Sequence, residues 1–589
     1  MGRIRGGRTS PARGGRNWPG RSGVVSRMKG EFLRESRGVR RLSPLVLVLM
    51  ALALAACGTA APGVPARGAL PESPVEAVQN DTRGAPGASL PWAPFDAATF
   101  AKARAEHRFV VLDGAAEWCH WCHVMEAVTY HDATVRSLLD ARFIAAKVDI
   151  DARPDIEERY AEYGWPATVI FSPEGEELGK YRGFIAPEAF ADILRQVVEP
   201  KGDARARASE AAITRGSGPL PDDEIAWIAR ATELALADFY DEDAGGWGHA
   251  QKAAMAMDNA WALERARAGD DDLKARVLFT LDAQSKLFDP VWGGVYQYSA
   301  ASDWNHPHFE KLMTFQAGAL DNYADAYALT HDPKWLTCAV ALRSYIDQFL
   351  TSPDGGFYAT QDADLHAHEP GRFLTGHEYY ALDDAHRRAL GVPRVDAHEY
   401  GKENGLAIAA YVTLAKATGD ATALAAAERA ARRALATHGT ARGGIAHDAD
   451  AKAATLHLAD NAAFGFALMR LYEGTGEHAW LEAAAKLADF MMRDLLDPVG
   501  GGFFGSTVDP DAVGVFAVRR KPFEENVMAI RFLGRLARAT GAHADAPYET
   551  AIANALRAIA TPDAIRARGR MIGDFLQALD ETRGVRAAP

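Results

Sequence analysis

The chain has 589 residues but only four cysteines, so disulfide bonds cannot form a framework that holds it together. Only Cys119 and Cys122 lie close to each other in sequence. Cys338 lies three residues after Trp335 on a helical face that Leu342 continues, and we expect it to be an unreactive thiol buried in a core. Because no further cysteine is placed to pair with them, Cys119 and Cys122 are predicted to serve chemistry.

The chain also lacks a long apolar run near its start. The run from Leu45 to Ala56 is short for crossing a bilayer, follows a basic region and ends at Cys57, which is the order of a signal peptide. The small residues before Cys57 resemble a bacterial lipobox, so we expect residues 1–56 to be a signal peptide region and Cys57 to carry a lipid anchor. An ordinary signal peptide or a single-pass anchor are the alternatives. Met28 is a candidate start of translation.

Positive charge is scarce as well, since the chain has 65 basic and 78 acidic residues, a formal charge of −13. Without the 12 basic and 2 acidic residues of segment 1–56, 53 basic and 76 acidic residues remain, a formal −23. Such a surface argues against a nucleic-acid partner, which needs clustered positive charge. Residues 57–90, rich in glycine, alanine and proline, are predicted to form a disordered tether after the lipidated cysteine. We expect an extracytoplasmic, lipid-anchored protein, with the outer membrane favoured because Gly58 replaces a retention aspartate.

The most informative stretch of the sequence is a predicted strand, a CxxC motif and a predicted helix in succession. The apolar run Phe109 to Leu112 precedes Trp118 and Cys119, and a helical pattern follows. The free N–H groups at a helix start stabilise a thiolate, so Cys119 is predicted to be the attacking thiol, aided by the neighbouring His120. Cys122, one turn later, is predicted to resolve a mixed disulfide on Cys119. The redox-active disulfide would need no further cofactor.

Zinc binding is the alternative use of this motif, because His120 and His123 lie among the two cysteines. No distant pair of cysteines or histidines completes a tetrahedral set, so no metal is expected. The segment that follows favours redox chemistry: a predicted strand over Phe143 to Asp149 and an apolar strand opened by Pro166, with a last helix over Pro187 to Val198.

These residues carry a resemblance to known families. Residues 91–200 resemble a thioredoxin domain, and Glu117 to Glu126 resembles the periplasmic thioredoxin domain of the bacterial transmembrane disulfide reductase. The run Cys-His-Trp-Cys-His-Val-Met-Glu, from Cys119 onward, resembles the spermatogenesis-associated thioredoxin-like family, in which a thioredoxin domain precedes a helical toroid. The resemblance implies that Pro166 lies in a cis-proline loop beside the reactive sulfur and shapes the substrate groove.

After a predicted linker at 201–221 the chain becomes helix after helix. Two kinds of break alternate along it, one a Gly-Gly pair followed by an apolar residue, as at Gly245-Gly246-Trp247, and the other a tight polar turn, as at Ala268-Gly269-Asp270. Such alternation predicts helical hairpins with short turns at one end and long loops at the other. Residues 222–585 are therefore predicted to form an (α/α)6 toroid, which makes the fold class multidomain, α/β followed by all-α.

Toroids of this kind resemble the superfamily of sugar epimerases and glycosidases, whose sites lie at one mouth of the ring. The polar residues of this chain gather on the Gly-Gly side, and capping of helix starts is the simplest reason for the acidic ones. Asp362 and Asp364 could instead act as acid and base in the cleavage of a glycosidic bond. His306 and His308 could move a proton, as an epimerase requires. The candidate toroid site consists of His306, His308, Glu310, Asp362, Asp364 and Glu403.

The sequence thus predicts an extracytoplasmic thiol-disulfide oxidoreductase that acts on protein thiols and disulfides, with a toroid that binds a partner or ligand. One alternative is a carbohydrate-active enzyme whose thioredoxin domain is a docking or sensing module. A second is a non-enzymatic scaffold.

Overall fold

A computed structural model describes residues 90–199, 220–367, 372–449, 455–541 and 547–583. The predicted signal peptide, the tether, Cys57 and nearly all of the predicted linker lie outside the described residues. Within the described ranges, none of the helices combines the length and the apolar character needed to span a membrane.

The first domain is a small sheet flanked by helices. Its elements are α1 (Ala97–Glu106), β1 (Phe109–Ala115), α2 (His120–Val128), α3 (Ala133–Arg142), β2 (Phe143–Asp149), α4 (Pro154–Tyr160), β3 (Ala167–Phe171), β4 (Glu177–Arg182) and α5 (Pro187–Val198). The sheet order is β2-β1-β3-β4, with β1 parallel to β2 and antiparallel to β3, and with β3 antiparallel to β4. The strand predicted at Phe143 to Asp149 and the helix predicted at Pro187 to Val198 are confirmed.

The central strand β1 explains why the CxxC motif is held firmly. Six of its seven residues are buried, because helices cover both faces of the sheet. Its neighbours β2 and β3 run through the same core, and the peptide bond between Trp165 and Pro166, just before β3, is cis. The loop after β1 therefore leads from a rigid strand directly into α2, which begins at the motif.

The second domain is a ring of helices. Its elements are α6 (Asp222–Asp238), β5 (Lys252–Ala253), α7 (Ala256–Arg267), α8 (Asp271–Gln284), β6 (Tyr298–Ser299), β7 (Pro307–His308), β8 (Lys311–Leu312), α9 (Met313–Thr330), α10 (Pro333–Phe349), β9 (Thr360–Gln361), α11 (Gly376–Tyr380), α12 (Asp384–Leu390), β10 (Val395–Asp396), α13 (Gly401–Thr418), α14 (Ala421–Thr437), α15 (Leu458–Thr475), α16 (His478–Asp494), α17 (Phe523–Thr540), α18 (Pro547–Ile559), α19 (Pro562–Arg568) and α20 (Gly573–Glu581).

Among these described helices, α7, α9, α13, α15, α17 and α20 pack side by side in that order, and α20 packs back against α7. Helices α6, α8, α10, α14, α16 and α18 lie outside, each against an inner helix. The backbone N–H of Gly573 donates to Asp258 Oδ1 at 2.7 Å and joins the last inner helix to the first. The predicted (α/α)6 toroid, and with it the fold class, is confirmed.

One hydrogen-bond device recurs at the Gly-Gly loops. After four of these loops, an amide side chain near the start of the next inner helix accepts from the N–H and donates to the C=O of the residue that follows the glycines. The pairs are Gln316 with Val295, Asn404 with Phe357, Asn461 with Ile445, and Asn526 with Phe503. We call these contacts the amide clamps. They satisfy backbone groups that would otherwise be buried without partners.

The thioredoxin-like domain lies on the Gly-Gly side of the ring. Leu312 and Phe516 of the toroid pack against the core of that domain, which includes Trp118 and Cys119. Contacts between the domains are polar as well, since the N–H of Ala363 donates to the carbonyl of Trp118 at 3.3 Å. The CxxC motif therefore faces the mouth of the toroid.

Candidate functional site

The cysteine pair lies at the start of α2. Cys119 caps the helix, and its Sγ accepts from the backbone N–H of Cys122 at 3.2 Å. Cys119 and Cys122 form a disulfide with their Cα atoms 5.2 Å apart. Cys119 is only 3% exposed, and Leu312 of the toroid packs on the core that includes it. The arrangement gives Cys119 the helix-start environment that favours a thiolate once the bond is reduced.

The two histidines of the motif reach out of α2 to one carboxylate of the toroid. His120 Nδ1 lies 2.8 Å and His123 Nδ1 3.0 Å from Asp364 Oδ2. The other ring nitrogen of His123 lies 3.0 Å from the carbonyl oxygen of Glu117. Because residues three apart on a helix share a face, one acceptor can engage both rings.

The toroid holds its carboxylates in fixed orientations. Asp364 Oδ1 accepts from the N–H of Gly376 at 2.8 Å, which leaves Oδ2 for the histidines. Asp362 Oδ1 accepts from the N–H of Asp364, also at 2.8 Å, and Asp362 Oδ2 lies 3.8 Å from His123 Nε2. Both carboxylates belong to the loop after β9, so one short segment presents them to α2.

Burial and charge act in opposite directions on these groups. Burial disfavours the Asp364 carboxylate, but hydrogen bonds from His120 and His123 outweigh it and hold the pKa of Asp364 well below its ordinary value. Burial likewise disfavours both imidazolium ions, yet the bond to Asp364 raises the pKa of each histidine. Burial and the nearby Asp364 raise the pKa of Asp362 to about 7 against the attraction of His123. The bonds to Asp364 therefore favour the charged form of both histidines beside the disulfide.

Glu310 completes this group from another toroid loop. Its Oε1 accepts from the backbone N–H of His120 at 3.3 Å, and His308 Nδ1 lies 4.0 Å from its Oε2. The next residue, Lys311, anchors the loop: its Nζ lies 2.8 Å from Asp289 Oδ2, to which Arg387 also donates at 2.7 Å. The structure thus brings together His120, His308, Glu310, Asp362 and Asp364, which the sequence offered as members of two separate sites.

Two candidates of the predicted toroid site lie apart from this group. His306 is exposed and pairs with Asp303 at 3.0 Å. Glu403 lies near the start of α13 beside Lys402, whose Nζ reaches Glu157 of the thioredoxin-like domain at 3.1 Å. Burial raises the pKa of Glu403 despite the nearby Lys402.

The remaining predicted residues are placed as follows. Trp118 donates from its indole N–H to Asp151 Oδ2 at 2.6 Å. Pro166 is buried at the start of β3. Cys338 is partly buried against the toroid core instead of fully buried, and burial raises the pKa of its thiol to about 11. At neutral pH this thiol stays protonated and is a poor nucleophile.

The sequence analysis considered His123 only as a zinc ligand and did not name His447, although both contact the other domain. The spacing of His120 and His123, three apart on a helix, could have indicated a shared partner. His447 follows a Gly-Gly loop and gives no such signal. Its Nδ1 lies 3.0 Å from Asp460 Oδ1, and its Nε2 lies 2.7 Å from the carbonyl oxygen of Asp151. It therefore joins the toroid to the loop that holds Trp118.

The His447 contact predicts a pH dependence of stability. Burial opposes its charge, but Asp460 and then Glu403 outweigh burial and raise the pKa of His447 to about 9. A raised histidine pKa stabilises the fold fully below the unfolded value of about 6.5, and this contribution is lost as pH rises through 9. We expect the wild-type advantage over His447→Gln in free energy of unfolding to fall by about 3 kcal/mol between pH 6 and 10. Urea unfolding at several pH values measures it, and a constant difference would contradict the assignment.

Comparison with known proteins shows which proteins this chain is similar to. Residues 85–209 match the family model Thioredox_DsbH, described as a protein of unknown function, DUF255. Human spermatogenesis-associated protein 20 is 27% identical over 307 residues, which cover 46% of this chain and 39% of the human protein. The resemblance predicted from the sequence is confirmed. The chain spans about two-fifths of the length of such spermatogenesis-associated relatives.

Two further similarities concern the separate domains. The thiol:disulfide interchange protein DsbD of Ralstonia nicotianae is 36% identical over 111 residues, 18% of this chain and 18% of that protein. A crystal structure of D-mannose isomerase superposes with a TM-score of 0.47 at 11% identity and covers 62% of this chain and 99% of that chain. The spermatogenesis-associated proteins thus match a little under half of this chain, whereas the interchange protein matches a stretch about as long as the thioredoxin-like domain.

Proposed function

We propose that the protein is a thiol-disulfide oxidoreductase in which Cys119 attacks, Cys122 resolves, and the toroid supplies charged groups to the same site. The observation that carries this proposal is the contact of both CxxC histidines with Asp364, beside a disulfide that caps a helix. A purely structural disulfide needs no such cluster of ionisable groups around it. The similarity to a thiol:disulfide interchange protein supports the same chemistry.

The reaction follows from the placement of the two sulfurs. In the reduced protein the Cys119 thiolate attacks a substrate disulfide, forms a mixed disulfide, and releases one substrate thiolate, which takes up a proton. The Cys122 thiolate then attacks Cys119 Sγ, restores the Cys119–Cys122 bond, and releases the second substrate thiol. Two electrons and two protons pass to the substrate, and an external dithiol must reduce the protein again. The reverse sequence oxidises a substrate dithiol.

The toroid determines how a partner reaches the sulfur. Cys119 is 3% exposed, and Leu312 of the toroid packs on the core that includes it, so we expect a protein substrate to reach the sulfur only after a movement at this domain boundary. His120 and Trp118, which flank Cys119, and Pro166, which opens β3, are assigned to positioning of the thiolate and the substrate. The partners are protein thiols and disulfides.

The test is to trap the intermediate. Without Cys122 the mixed disulfide on Cys119 has no resolving thiol and should accumulate. Cys122→Ser, expressed in its own compartment, should give discrete higher-mass species on non-reducing gels that vanish on reduction. Cys119→Ser should give none, and Cys338→Ser combined with Cys122→Ser should give the same species. Adducts that persist in Cys119→Ser, or that require Cys338, would contradict the roles assigned to Cys119 and Cys122.

We further propose that the protein acts outside the cytoplasm and is attached to a membrane by a lipid on Cys57. The basic region, the apolar run and the small residues before Cys57 support this. Labelled palmitate should be incorporated by the wild-type chain and lost in Cys57→Ala, as autoradiography of purified protein would show. Equal labelling of both chains would contradict the anchor.

A further inference from the structure

We propose that His123, Asp362 and Asp364 bind a divalent transition-metal ion at the boundary between the two domains. One ligand atom from each residue lies within 4.8 Å of the others, and His123 Nδ1 lies 3.0 Å from Asp364 Oδ2. Two ligands on an ion with bonds of about 2.1 Å are about 3 Å apart at right angles and about 3.4 Å apart at tetrahedral angles, so a small outward shift of the His123–Asp364 pair would admit the ion. All three side chains are buried, so the ion would be shielded from solvent.

The hydrogen bonds around these residues orient them as ligands. Backbone N–H groups hold the Oδ1 atoms of Asp362 and Asp364, which directs both Oδ2 atoms towards His123. Asp364 Oδ2 contacts the Nδ1 atoms of His120 and His123, and a bound ion would replace the proton that Asp364 shares with His123. His123 Nε2 lies 3.0 Å from the carbonyl oxygen of Glu117 and 3.8 Å from Asp362 Oδ2, which fixes the ring with Nδ1 towards Asp364. Metal-binding histidines commonly use their second nitrogen in this way.

A neighbouring carboxylate provides an independent reason to expect a cation. Glu310 is 3% exposed, and its Oε2 has no hydrogen-bond partner among the described residues, the ring nitrogen Nδ1 of His308 lying 4.0 Å away. Its Oε1 accepts from the N–H of His120, which places the side chain at the first turn of α2, three residues from His123. Leaving a buried carboxylate oxygen without a partner is costly, and a positive ion in this cluster would supply the missing interaction.

The donor set indicates the class of ion. One imidazole nitrogen with two or three carboxylates suits Zn²⁺, Mn²⁺ or Fe²⁺, whereas Mg²⁺ and Ca²⁺ prefer oxygen alone. The sulfurs of Cys119 and Cys122 are joined to each other, so thiolate ligation plays no part in the oxidised protein. Since His123 belongs to one domain and the aspartates to the other, the ion would fasten the toroid to α2.

The test uses the oxidised full chain and Zn²⁺ as the probe. Isothermal titration should show one ion bound per chain, at least about tenfold more weakly in Asp362→Asn. His306→Gln removes an exposed histidine that also pairs with an aspartate, at 3.0 Å from Asp303, and should leave the affinity unchanged. Mg²⁺ in excess should not displace Zn²⁺.

A second measurement keeps the result independent of folding and of the proposed redox function. Co²⁺ bound to the wild-type chain should show nitrogen and oxygen ligation without a sulfur-to-cobalt absorption band, and the double variant Cys119→Ser, Cys122→Ser should bind Zn²⁺ equally well. Absence of a stoichiometric ion in the wild type, unchanged affinity in Asp362→Asn, or sulfur ligation would overturn the site. Loss of disulfide exchange with the metal still bound would instead count against the redox function alone.

Discussion

Reduction of a peptide disulfide by the full chain should fall by roughly three orders of magnitude or more when Cys119 is replaced by serine. A serine hydroxyl is scarcely ionised near neutral pH, and its oxygen cannot form a disulfide with the substrate. Cys122 cannot take over, because it lies inside α2 rather than at its cap. The rate of thiol release from a labelled peptide disulfide, started with reduced protein, measures the effect.

Cys338→Ser is the matched control for this loss. Cys338 packs against the toroid core, and its thiol remains protonated at neutral pH, so its replacement should leave the rate unchanged. Activity that survives in Cys119→Ser and disappears in Cys338→Ser would refute the assignment of the nucleophile.

Asp289→Asn should lower the free energy of unfolding by about 3–5 kcal/mol. Asp289 Oδ2 lies between Lys311 Nζ and Arg387, and all three side chains are 0% exposed. Burial lowers the pKa of Lys311 to about 8 despite the attraction of Asp289, which shows how poorly the site solvates a cation. Without the carboxylate two buried cations lose their common partner, and removal of one member of a buried ion pair is strongly destabilising.

Urea unfolding followed by circular dichroism measures this loss. Asp303→Asn serves as the control, because Asp303 pairs with the exposed His306 and surface pairs contribute little. Since Lys311 follows Glu310 in sequence, the Asp289 variant should also loosen the loop from which Glu310 contacts His120. Equal stability of the two variants would show that the buried network contributes little to the fold.

The elements of both domains could be predicted because their signals are local. The apolar run at Phe143 to Asp149 indicates a strand from its own residues, and the amphipathic run that opens with Pro187 and ends at Val198 indicates a helix in the same way. The alternating breaks predicted the helical hairpins, because glycine pairs and polar turns end helices wherever they occur. Ring closure then follows from the number of hairpins.

The composite site could not be predicted in the same way. His120 and Asp364 are 244 positions apart, and His120 and Glu310 are 190 apart, so their contact depends on how one domain docks on the other. The toroid residues were grouped by their loops, which joined Glu403 and His306 to residues that they do not meet. The amide clamp that Asn404 forms with Phe357 was not predicted either, because no spacing in the sequence indicates it.

The closed ring has a consequence for how the toroid comes apart. In an open array of helical repeats the two end repeats have a neighbour on one side only, need polar outer faces, and fray first. Here each inner helix of the described toroid has an inner neighbour on both sides, and the Gly573 to Asp258 hydrogen bond joins the ends. The described toroid therefore has no terminal repeat from which unfolding can spread. Unfolding must first separate two inner helices that pack against each other.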